Sequence, residues 1–127
     1  MIGYAAAGDL LAAYGLAWQS FDGDAWVSLF TEDAEYHEGP FGAAMVGQNA
    51  IRAFLLDSAA TQRDVEFTVE RHWISGETVL AAWHAAWIAR GDGQLVRAAG
   101  FLTADIALDG RISRFRKWAQ VAPGQAG

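Results

Sequence analysis

The 127 residues suit one domain and leave little room for a second, and 53% of them are hydrophobic, enough for a sizeable core. Fifteen acidic residues against nine basic ones give a net charge of −6, a field that repels nucleic acid and anionic membrane surfaces. Cysteine is absent, which removes disulfides, thiolate nucleophiles and cysteine-bound metals together.

No apolar run approaches the length of a bilayer span, and Met1-Ile2-Gly3-Tyr4 lacks the basic start of a secretory signal, so a cytoplasmic protein is expected. Over residues 5–21 the positions Ala7, Leu10, Leu11, Tyr14, Trp18 and Phe21 recur at three- and four-residue steps, the stripe of an amphipathic helix. Asp22-Gly23-Asp24 ends it and caps a short second helix carrying Trp26, Leu29 and Phe30. Residues 34–38 read as a short strand, followed by a Gly39-Pro40 and Gly42 loop. A third helix is predicted over 48–61, with Ile51, Phe54 and Leu55 inward.

Four long strands follow, at 65–74, 78–90, 95–108 and 112–121, broken by Ser75-Gly76, Gly91-Asp92-Gly93 and Asp109-Gly110. Such breaks are hairpin chemistry, because these turns need positive φ. The fold class is therefore α+β: three N-terminal helices packed in the concave face of a strongly curved, mostly antiparallel sheet. Residues 1–122 form the domain and 123–127 a frayed tail.

Counting across a Ser75-Gly76 turn pairs Ile74 with Glu77 and His84 with Phe67, and sets Trp83 opposite Thr68. The same arithmetic around Asp109-Gly110 pairs Phe115 with Ala104, Lys117 with Leu102, and Arg114 with Asp105 as a surface ion pair. One face of 78–90 then carries Leu80, Ala82, His84, Ala86 and Ile88, and faces the pocket. The other carries Trp83 and Trp87 and needs a cover. A homodimer through that face is the simplest supply, the alternative being a loop or the tail folded over both tryptophans.

Tyr14, Leu29-Phe30 before Asp33-Ala34, Glu38, and Gly47 followed by Ala50-Ile51-Arg52 and Phe54 resemble the N-terminal half of ketosteroid isomerases. Asp109-Gly110-Arg111-Ile112 leading into Arg114-Phe115-Arg116 and Trp118 resembles the wider SnoaL-like group, of the nuclear-transport-factor-two-like superfamily. The resemblance implies a cone around an apolar pocket and cofactor-free acid–base chemistry on a small apolar molecule, of isomerase, dehydratase or cyclase type. It puts Glu38 at the base position and Tyr14 at the oxyanion tyrosine. The third member, an acid that holds the enolate oxygen, is replaced by Ala104. A limonene-type epoxide hydrolase is a lesser alternative, since Arg97 lacks an acid two residues on.

Glu38 shares a face with Tyr36, two residues earlier. It is either a base desolvated among aromatics or a pocket-mouth carboxylate, in water or paired with Lys117. His84 is either a core histidine or the second acid/base group. Tyr14 is either packing or an oxygen-stabilising donor. The pocket wall is expected from Trp18, Phe30, Tyr36 and Phe54, with Phe67, Leu102, Phe115 and Lys117 completing it. His37 and His72 lack metal-ligand spacing, so no metal is expected, and no phosphate or dinucleotide loop appears. The competing class is a non-catalytic ligand-binding or dimerisation module on the same fold.

Overall fold

The computed structural model describes residues 2–123, so the tail expected to fray lies, beyond Pro123, outside the described residues. The elements run α1 (Tyr4–Ser20), α2 (Gly23–Ser28), β1 (Phe30–Glu38), β2 (Met45–Val46), α3 (Gln48–Ala59), β3 (Gln62–Ser75), β4 (Thr78–Ala89), β5 (Leu95–Ile106) and β6 (Ile112–Val121). The strands form one sheet in the order β2-β1-β6-β5-β4-β3, antiparallel except for the β1–β6 pair. This is an α+β fold, with the helices packed against β1 and β3 on one face of the sheet.

The helices begin and end for local reasons. Phe21 closes α1 in the left-handed region (φ 49°), where its N–H reaches the Ala17 and Trp18 carbonyls. Asp22 then caps α2, its carboxylate accepting from the Ala25 N–H at 3.1 Å. The Trp26 indole donates to the Ile51 carbonyl at 3.1 Å, tying α2 to α3. Phe30 belongs to β1 and not to the second helix, pairing with Ile112. No helix among the described residues is long and apolar enough to cross a membrane.

The β5–β6 hairpin has the expected register: Phe115 faces Ala104, Lys117 faces Leu102 and Arg114 faces Asp105. The expected Arg114–Asp105 ion pair does not form. Arg114 lies 3.7 Å from the Glu35 carboxylate, and Asp105 accepts from the Thr78 hydroxyl at 2.7 Å.

The β3–β4 hairpin departs from expectation. Its turn is Gly76-Glu77, with Ser75 opposite Thr78, one residue later than read from the sequence. Bulges between Arg63 and Glu66 and between Val69 and Arg71 shift the register twice more. His84 therefore pairs with Thr68, and Trp83 with Val69. The later turn leaves the faces unchanged, but the bulge between Val69 and Arg71 moves Phe67 from His84 to the neighbouring Ala85 and so inverts the faces assigned to β4. Trp83 is 2% exposed and packs on Phe67, while Trp87 meets Trp18 at 6.0 Å between ring centroids. Trp83 fills the interior beneath the helices and Trp87, partly buried, lines the space beside Trp18, so this face turns toward the helices and not outward as read from the sequence. The outer face instead carries Trp73, tilted against Phe101 at 5.9 Å between ring centroids, together with His84 and Arg97.

Gly100 marks a close approach of β5 and β6. A Cβ there would sit 1.8 Å from the Trp118 carbonyl oxygen, so no larger residue fits this crossing.

Candidate active site

Between the helices and the covered face of the sheet lies a cavity of about 240 Å³. Trp18 of α1, Trp26 of α2 and Phe54, Leu55 and Ser58 of α3 form one side. Tyr36 and Glu38 of β1, Trp83 and Trp87 of β4, and Lys117, Ala119 and Val121 of β6 form the other, with Gln62 and Ala98. The Trp18 indole donates to the Gln62 side-chain oxygen at 3.0 Å, fixing the α1 wall to β3.

Two charged side chains break this aromatic lining. Glu38 and Lys117 are register partners across the parallel β1–β6 pair, so they project side by side from neighbouring strands. Glu38 keeps one side in solvent, yet partial burial raises its carboxyl above the usual range, with Lys117 pulling it down. Lys117 is 6% exposed. Its Nζ lies 4.0 Å from the Trp18 ring centroid, 5.0 Å from that of Trp83 and 5.8 Å from that of Tyr14. Ring faces thus solvate the ammonium in place of water. Burial pushes the amine down to about 8, opposed by the Glu38 charge.

Behind this pair the Tyr14 and Tyr36 hydroxyls share a hydrogen bond of 2.8 Å. Both phenols are held above their ordinary value, chiefly by burial. Tyr36 stacks on Phe115 at 4.7 Å, and Tyr14 stacks on the same ring at 4.9 Å. Ala104 is fully buried and brings no polar group to this region.

Glu38, Lys117, Trp18, Tyr36 and Phe54 of the expected site residues line the cavity together. Tyr14, Phe30, Leu102 and Phe115 are buried in the core behind it. Phe67 contacts Tyr14, Trp18 and Trp83 but lines a separate groove between α1 and β3. His84 is the clear correction. Its side chain is 50% exposed on the outer face, 4.0 Å from the Glu70 carboxylate, because the β3 bulges set β4 with Trp83 inward. It cannot act with Glu38. Arg97 is also exposed there, lining an outer depression with Glu70 and His84.

Sequence reasoning missed Trp26, Ser58, Gln62, Trp83 and Trp87 as lining residues. A signal existed for Ser58, which stands four residues after Phe54 on one helical stripe. For Trp83 and Trp87 none did, since both faces of β4 are apolar.

Known proteins frame this geometry. No curated protein matches the chain. A Mycobacterium tuberculosis protein crystallised with estradiol-17β-hemisuccinate is similar in structure (TM-score 0.76, 19% identity, 89% of this chain and 92% of that one). So is a Catenulispora acidiphila protein with a ketosteroid isomerase-like fold, crystallised with trimethylamine (TM-score 0.78, 18% identity, 86% and 83%). A third is SalBIII, an epoxide hydrolase/cyclase-like enzyme of pyran ring formation in salinomycin (TM-score 0.79, 19% identity, 90% and 90%). At these identities the likeness shows the fold. The SnoaL-like domain profile matches residues 11–115, and the chain belongs to that family.

Proposed function

We propose that residues 1–122 act as a single-domain enzyme that moves a proton, without a cofactor, on a small and largely apolar molecule held in this cavity. Isomerisation, dehydration and cyclisation are the reaction types of that class. The observation that carries the reading is the Glu38–Lys117 pair on the cavity face of β1 and β6. A carboxyl raised above its usual range is better matched to carbon acids than an ordinary one. An ammonium beside it, shielded from water by Trp18 and Trp83, would stabilise negative charge developing on a substrate oxygen. Lys117 thus takes the role that His84 cannot fill, and the Tyr14–Tyr36 bond holds the wall behind Glu38.

The ligands crystallised with two relatives, a steroid ester and trimethylamine, support a small-molecule occupant. At about 30 Å³ per liquid water, the cavity corresponds to about eight water volumes, a size suited to a small cyclic ketone. The test is deuterium exchange at the carbons beside the carbonyl of such ketones, followed by proton NMR. Wild type should exceed buffer, and Glu38→Gln should lose at least about 100-fold. Equal rates for wild type and variant would overturn the assignment.

One observation favours a second reading, a non-catalytic binding module. The Tyr14 hydroxyl is taken up by Tyr36, and Ala104 offers no donor, so neither of these two positions supplies the hydrogen bond that the missing acid would have made. Saturable quenching of tryptophan fluorescence by ketones, with no exchange above buffer, would select it.

A further inference from the structure

Lys117 is the only lysine in the sequence; every other basic side chain counted in the charge balance is an arginine. A solvated surface has no use for this lysine, because it is 6% exposed and walled by Trp18, Trp83 and the Tyr14 ring. Among the described residues no carboxylate lies within 4.0 Å of it to fix it as an ammonium. It also lines the cavity with Glu38 as its register partner. An arginine would stack on the same rings as well or better, but its guanidinium stays protonated and is no nucleophile.

We infer that Lys117 is an imine-forming amine, and that the cavity takes aldehydes and unhindered ketones and binds them covalently. This deepens the proton-transfer reading, from which it takes Glu38 as the group that gives and takes the proton. The Nζ lone pair attacks the carbonyl carbon while the C=O π pair moves to oxygen, and one N–H proton passes to that oxygen. The carbinolamine hydroxyl then takes a proton from protonated Glu38 and leaves as water as the C=N bond forms. Amine plus carbonyl gives iminium plus water and a Glu38 carboxylate, with no oxidant or reductant. The iminium withdraws electrons from the neighbouring carbon, whose proton the new carboxylate can take.

The titratable groups around the amine are Glu38 of β1 and the phenols of Tyr14 and Tyr36, which stay neutral in the ordinary pH range. An amine at about 8 is about one-tenth neutral at pH 7, roughly 300 times the fraction of a lysine at 10.5.

The test is reductive trapping of the full chain with benzaldehyde and sodium cyanoborohydride, read by intact mass and peptide mapping. One benzyl adduct on Lys117 is expected, saturable in benzaldehyde and forming well ahead of a solvated lysine peptide under the same conditions. Lys117→Met should leave only terminal-amine labelling, and Glu38→Gln should slow the Lys117 adduct without abolishing it. Labelling confined to the terminal amine, or Lys117 labelled no faster than the peptide, overturns the proposal. The two readings fail separately: an adduct without ketone exchange sinks proton transfer alone, and exchange without an adduct sinks the imine alone.

Discussion

The Tyr14 and Tyr36 hydroxyls meet at 2.8 Å with 1% and 0% of their respective residues exposed, so neither phenol has a water to fall back on. Tyr14→Phe leaves the Tyr36 hydroxyl buried and unpaired, at a cost of about 1–3 kcal/mol. The Tyr14→Phe, Tyr36→Phe double variant should recover part of that loss, since removing both polar groups leaves none unsatisfied. Urea unfolding of the four proteins in this cycle measures it; strictly additive losses would contradict a shared bond.

Lys117 gives stability a pH dependence whose sign follows from its lowered value. The amine titrates at about 8 folded and at 10.5 when unfolded, so the unfolded chain holds the proton more tightly between those values. Its contribution therefore improves as pH rises from about 8 to 10.5, and the full penalty, at most about 3 kcal/mol, applies below 8. Lys117→Met removes that penalty. Its melting temperature should exceed wild type at pH 7, with the gap closing by pH 10.5. A gap that widens toward alkaline pH would reverse the assignment.

The two charges also tune each other. Glu38 raises the Lys117 value, so Glu38→Gln should move the amine below its wild-type position near 8. Because the chain has one lysine, reductive ¹³C-methylation yields a single lysine signal to titrate by NMR. An unmoved midpoint would mean that the carboxylate is not in electrostatic contact with the amine.

Gly100→Ala should destabilise severely, by more than about 3 kcal/mol. The added carbon would meet a backbone oxygen at 1.8 Å, and no flexible side chain can yield there. Differential scanning calorimetry reads the loss directly; a near-normal melt would mean that the β5–β6 crossing relaxes freely.

Trp83→Gln tests the interior placement of that ring. A large aromatic removed from the core costs about 3–5 kcal/mol, so chemical denaturation should register a loss of that order. Light scattering on the still-folded fraction should give the same molar mass as wild type. Dissociation at unchanged stability would instead mark Trp83 as an interface residue.

The sequence was read well where nothing interrupts a ladder. From Ala98 to Asp105 the β5–β6 pairing runs unbroken, and the one register shift, between Asp105 and Ile106, offsets a turn one residue longer than the two counted, so counting outward from Asp109-Gly110 still places Phe115 and Lys117 correctly. In β3 the same counting fails, because two bulges, one beside Asp64 in the left-handed region, add residues that leave no mark in composition. Periodicity could not correct the error. With alanine and other apolar residues at nearly every position from Val79 to Ala89, β4 looks buried on either face, and His84 and Trp83 exchange places unnoticed. Glu38 was legible because Tyr36 shares its face, whereas the aromatic box around Lys117 joins α1, β4 and β6 and exists only once the chain is folded.

Enclosure of the sole lysine also makes the molecule a gauge of its own opening. Bulky, charged acylating reagents such as sulfonated succinimidyl esters meet no side-chain amine on the folded surface, only the chain's terminus. Acylation of Lys117 by such a reagent must await an opening event large enough to part Trp18 from Trp83. The rate of that reaction, followed by mass spectrometry, is therefore a clock for breathing of the pocket wall, built from native residues and needing no introduced probe.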